Sequence, residues 1–127
     1  MQILPRESVI FAEDYDKMVA WYRDVLNLNV KSKTADGFHY THFVNDHGIE
    51  LGIASASEMG INAKEKDSNS VRIQFAVEDV KVFFAHVKSH GATVPFEPSF
   101  DKKGQFWFGG FNDPEGNPFW VVDKNCP

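Results

Sequence analysis

The sequence predicts an α+β fold made of two βαβββ halves. Three observations carry that prediction: a helical pattern that occurs twice, an acidic pair that precedes it both times, and a sharp reversal between two apolar runs near the C-terminus. At 127 residues the chain can bury about two-thirds of its unfolded surface as one domain, without disulfide or metal support. The expected organisation is a single domain over 1–127, with module one at 1–54, a linker at 55–69 and module two at 70–127.

The first strand closes on Phe11 and Ala12. Glu13 and Asp14 follow, where a helix N-terminus favours negative charge. Met18, Trp21, Tyr22, Val25 and Leu26 then keep the i, i+3, i+4, i+7, i+8 spacing of one buried helical face. Short strands are expected at 28–34, 38–44 and 49–54. The stretch that follows is polar and poor in β-branched residues, with a short helix over 56–59 as an alternative to plain linker.

The second half repeats the scheme. Phe75, Ala76 and Val77 lead into Glu78 and Asp79, and Val80, Phe83, Phe84 and Val87 form the next apolar helical face, stopped by Gly91. Strands are expected at 93–97, 105–111 and 119–123. Between the last two lies Asp113, Pro114, Glu115, Gly116, Asn117. Asp113 can accept from the backbone two residues on, Pro114 presets φ, and Gly116 accepts positive φ at little steric cost.

Alternation assigns faces. In the run 49–54, Ile49, Leu51 and Ile53 are large and apolar, whereas Glu50, Gly52 and Ala54 are acidic or small. One face packs on a helix and the other is left for function. The run 71–77 sorts the same way, with Arg72, Gln74 and Ala76 away from the helix. In the strand at 38–44 the favoured register puts His39, Thr41 and Phe43 beside Glu50; a slip of one residue puts Tyr40 and His42 there instead.

Composition narrows the function classes. A net charge of −5 argues against nucleic acid or an anionic membrane as partner and leaves cationic or polar small molecules open. Residues 1–10 contain Arg6 and Glu7 rather than a basic start and an apolar run, so no secretory leader is expected. No stretch is long enough to span a bilayer. The lone Cys126 suits a reducing cytoplasm and reads as an incidental thiol.

The paired βαβββ halves, the helix ending Trp21, Tyr22, Arg23, Asp24, Val25, Leu26, Asn27, Leu28, and the Asp113 to Asn117 turn together resemble the vicinal oxygen chelate superfamily. That superfamily includes glyoxalase I, extradiol dioxygenases and bleomycin-resistance proteins, and the resemblance covers nearly the whole chain. It implies curled mixed sheets around a pocket, helices on the outer faces, and a homodimer. Metal-dependent members carry one ligand on each of the four strands that begin and end the modules. Carried over, those positions are Glu7, Glu50, Arg72 and Trp120. A guanidinium and an indole offer no lone pair to a metal, so glyoxalase I activity, a bound metal and a cofactor are not expected. Arg72, of the same chain or of a partner chain, is expected within hydrogen-bonding range of Glu50, Glu7 or both, in place of the divalent cation.

The resulting expectation is a metal-free, cytoplasmic, homodimeric small-molecule-binding protein for a cationic or aromatic compound. Its ligand-binding residues would be Glu7, His39, Phe43, Glu50, Arg72, Phe106, Phe108 and Trp120. The alternative is an enzyme of the same fold, a lyase, isomerase or dioxygenase with or without a divalent metal, using Glu50 or His39 as catalytic base. A third possibility is an accessory dimer with a vestigial pocket.

Overall fold

The computed structural model describes residues 1–62 and 71–127, and the chain forms two compact units, Met1–Glu65 and Lys66–Pro127. The first unit runs β1 (Ser8–Ala12), α1 (Tyr15–Asp24), β2 (Asn29–Thr34), β3 (Tyr40–Val44), β4 (Glu50–Ser55) and α2 (Ala56–Met59). Its four strands lie in the order β1-β4-β3-β2, with β1 parallel to β4 and the other pairs antiparallel. The second unit runs β5 (Ile73–Val77), α3 (Val80–Lys88), β6 (Thr93–Asp101), β7 (Phe106–Asn112) and β8 (Pro118–Asp123), in the order β5-β8-β7-β6. Both units are βαβββ modules, and the fold is α+β.

Each helix starts where its acidic pair predicts. The Asp14 carboxylate accepts from Lys17 N at 3.2 Å, and the Asp79 carboxylate accepts from Val82 N at 3.1 Å, satisfying one orphan donor at each N-terminus. Helix α1 buries Met18, Val19, Trp21 and Tyr22 against a sheet face made by Ile10, Ala12, Leu51, Ile53, Thr41 and Phe43. Helix α3 buries Val80, Phe84 and Val87 on its own sheet, where Phe111 and Phe119 stack at 4.9 Å and Phe83 packs edge-on against Phe75. The core of each module therefore lies between one helix and one sheet face. The opposite sheet face of each module, called the open face below, is turned away from that helix.

The C-terminal reversal is a closed hydrogen-bond unit. Asp113 is fully buried; its Oδ1 accepts from Glu115 N and Asn117 N, both at 2.9 Å, and its Oδ2 accepts from Asn117 Nδ2 at 2.8 Å. Gly116 sits at φ 87°, a conformation that a side chain would strain. This turn fixes the register of β7 on β8, pairing Phe111 with Phe119 and Gly110 with Trp120.

One element differs from the sequence expectation, and one alternative is decided. The strand expected at 93–97 continues to Asp101 through Pro95 and Pro98. It can do so because β6 is the sheet edge and its register shifts between Thr93 and Phe96 and between Phe96 and Ser99, so neither proline has to donate to a neighbour. The expected linker starts with ordered structure: Ser55 ends β4 and caps α2 by accepting from Glu58 N. Residues 63–69 of that linker lie outside the described residues. Among the described residues no helix is long and apolar enough to cross a membrane.

Candidate functional site

In the first module the open face is set by strand register. Strand β1 pairs Val9 with Gly52, and β3 pairs His42 with Gly52 and Tyr40 with Ala54. Side chains of paired residues share a face, so Glu7, Tyr40, His42 and Glu50 come together opposite α1. The Tyr40 hydroxyl donates to Glu7 Oε1 at 2.7 Å. His42 Nε2 stands between the two carboxylates, 3.1 Å from Glu50 Oε1 and 3.7 Å from Glu7 Oε2. Arg6 Nε lies 3.4 Å from Glu7 Oε2.

The two carboxylates are not equivalent. The Glu7 side chain is 7 % exposed with both oxygens engaged, whereas the Glu50 side chain is 45 % exposed and Oε2 has no partner among the described residues. The Tyr40 hydroxyl is the main reason the Glu7 carboxyl is held down at about 2, helped by its own backbone N–H, Arg6 and His42 against the opposing effect of burial. Burial and the Glu7 charge push the Tyr40 phenol well above its ordinary value, so it stays a donor. Glu7 is thus a pinned internal anion and Glu50 is the carboxylate a ligand can reach. A carboxylate can only accept, so His42 carries its proton on Nε2.

This arrangement corrects the favoured register of β3. Thr41 and Phe43 lie on the helix face, Thr41 Oγ1 2.5 Å from the Tyr15 hydroxyl and the Phe43 ring against Tyr22. Phe43 is wholly buried, so it belongs to the core rather than beside Glu50. His39 is also elsewhere: its backbone N donates to Glu58 Oε2 at 2.8 Å and its Nδ1 meets Glu58 Oε1, which ties β3 to α2. Tyr40 and His42, placed by the one-residue slip, are the residues beside Glu50. The signal that decides between the registers is loop length, because five residues between Val44 and Glu50 pair even positions with even positions.

In the second module, odd residues of β7 face α3: Lys81 Nζ lies 3.9 Å from the Trp107 ring and Phe111 packs on Phe83 and Phe84. The even residues are on the open face. There Trp120 stacks on Phe96 at 5.1 Å and 24°, with Phe108 6.4 Å from Trp120 and Phe106 6.0 Å from Phe108. Phe96 is half exposed and extends the aromatic surface to the edge strand. Arg72 precedes β5, is exposed, and forms no ion pair among the described residues.

With the geometry in place, one comparison is decisive. The model of the Glyoxalase/Bleomycin resistance protein/Dioxygenase superfamily matches residues 6–121. The chain belongs to that superfamily. Solved structures agree on the fold. A glyoxalase/bleomycin resistance protein/dioxygenase family enzyme from Burkholderia phytofirmans is 18 % identical with a TM-score of 0.73, covering 92 % of this chain and 95 % of its own. The fosfomycin resistance protein FosX from Listeria monocytogenes is 14 % identical with a TM-score of 0.74, covering 97 % and 94 %. A glyoxalase I mutant from Zea mays is 16 % identical with a TM-score of 0.75, covering 91 % of this chain and 43 % of its own. No curated protein sequence matches.

As a glyoxalase-superfamily chain it departs from the metal-dependent donor pattern. Of Glu7, Glu50, Arg72 and Trp120, the last two have no lone pair for a metal. Glu7 has both oxygens committed within its own module. Among the described residues no group of three or more His, Cys, Asp or Glu side chains is arranged to hold a metal ion. The donor set does not fit a divalent ion.

Proposed function

We propose that the protein binds a small organic cation without a metal, with Glu50 of the first module meeting the positively charged group. The observation that carries this reading is the split between the two carboxylates: Glu7 is neutralised from within, while Glu50 keeps an exposed oxygen. In the second module, taken by itself, the Trp120 and half-exposed Phe96 surface offers area on which a flat aromatic group can stack. The net charge of −5 favours encounter with a cation. Homodimer assembly, as the superfamily resemblance implies, is part of this proposal.

Thermal unfolding across a panel of aromatic amines, alkylamines and small carboxylic acids tests it. Aromatic amines at a hundredfold excess over Kd should stabilise the fold by about 2.7 kcal/mol, and Glu50→Gln should remove the effect. No stabilisation by any amine would overturn the reading. The His42 contact to Glu50 favours a second reading, proton transfer by the Glu50 carboxylate with His42 as its positioning residue. Exchange of a substrate C–H proton with solvent deuterium, lost in Glu50→Gln, would select it over simple binding.

A further inference from the structure

Within the acidic group of the first module, His42 occupies the place where a cation between Glu7 and Glu50 would sit. Its Nε2 is held 3.1 Å from Glu50 Oε1 and 3.7 Å from Glu7 Oε2, on a strand adjacent to β4. We propose that His42 is a built-in competitor for the ligand: its Nε2–H covers Glu50 in the free protein, and an alkylammonium or guanidinium group binds by displacing it. The inference rests on the reading that Glu50 receives a cation.

Three features make the exchange workable. Glu7 cannot be the entry point, because it is almost fully covered and both its oxygens are engaged by Tyr40 and Arg6. Glu50 is exposed, so a ligand can reach it without moving the backbone. When Glu50 is taken, the Glu7 carboxylate, 3.7 Å from Nε2, is the acceptor toward which His42 can swing, so displacement need not leave a covered N–H unpaired. The imidazole is itself only 11 % exposed.

The consequence is a penalty on affinity. A site whose competent state is populated a tenth of the time binds about tenfold more weakly than the open site. His42 also sets what the site accepts. With the imidazole retained, the ligand meets one available carboxylate, which suits a single positive charge in place of a dication.

The test is calorimetric titration of n-butylammonium at fixed pH and ionic strength into the wild-type chain, His42→Ala, His42→Gln and Glu50→Gln. His42→Ala should bind about tenfold more tightly, His42→Gln should return toward wild type because its amide also donates, and Glu50→Gln should not bind. In the wild type, the His42 ring signals in an imidazole NMR spectrum should shift saturably with the same midpoint as the calorimetry. Equal or weaker binding by a folded His42→Ala overturns the proposal. Should that variant not fold, unmoved His42 signals at saturation overturn it. Absence of n-butylammonium binding in wild type and His42→Ala alike would overturn the cation-binding reading as well, whereas equal binding in both removes only the competitor role.

Discussion

The Tyr40 hydroxyl donates to Glu7 Oε1 at 2.7 Å, joining the third strand of the first module to the residue just before its first strand. The bond crosses β4, which lies between them, and it is the largest cause of the depressed Glu7 acidity. Glu7 therefore contributes stability that is fully present above its unfolded value near 4.5 and is lost as pH falls toward about 2. Tyr40→Phe should raise the Glu7 pKa toward its unfolded value and so remove most of this contribution from the neutral range. Carboxyl carbon NMR titration of Glu7, with urea unfolding between pH 2 and 6, measures both; an unchanged Glu7 titration would refute the assignment.

Gly52 makes that bond possible. A Cβ built at position 52 would lie 1.9 Å from the Tyr40 hydroxyl oxygen and 2.5 Å from its ring carbon Cζ, so the phenol lies directly over the glycine. Gly52→Ala should swing Tyr40 away and reproduce the raised Glu7 pKa of Tyr40→Phe. Because only the outer end of one side chain must move, the stability loss should be about 1 kcal/mol, at the lower end for overpacking. The same NMR titration and urea unfolding check it.

Legibility in the sequence followed physical cause. Both helices and the Asp113 turn were readable because each has a local determinant, an acidic N-cap or an Asx-type reversal, that acts over a few residues. The open face of β4 was readable from the large-small alternation around Glu50. The face of β3 was not, because Tyr40, His42, Thr41 and Phe43 alternate without a clear polar side; what decides is the pairing with β4, a nonlocal fact. Within the first module it is His42, on the neighbouring strand, that stands between the two carboxylates. The strand expected at 93–97 runs on through Pro98, which an edge position tolerates.

Asp113 should be among the costliest polar positions of the second module. Its carboxylate satisfies two backbone N–H groups and the Asn117 amide from a fully buried position, and Asp113→Ala would leave those donors without an acceptor. A loss of about 2–4 kcal/mol is expected, since each stranded donor costs about 1–3 kcal/mol and some regain water. Asp113→Asn should cost less because one amide oxygen still accepts. Urea midpoints at neutral pH give both values, and near-native stability of Asp113→Ala would show that the turn holds without its side chain.

Adjacent residues on β8 should separate stability from binding. Phe119 is 1 % exposed and stacks on Phe111 in the core, whereas Trp120 points to the open face against Phe96. Phe119→Ala should cost about 3–5 kcal/mol. Trp120→Ala removes a stacking partner worth about 0.5–1.5 kcal/mol beyond its area, so its folding penalty should be smaller. Its effect should instead appear in ligand choice. Loss of an indole face should weaken stacking of an uncharged aromatic probe such as 2-naphthalenemethanol on the second module about tenfold, while n-butylammonium, which needs only Glu50, should be little affected. Calorimetric titration of the two probes into wild type and Trp120→Ala gives the ratio. A parallel loss for both probes would mean that Trp120 supports the site through folding and not through contact, and the aromatic half of the proposed function would fall.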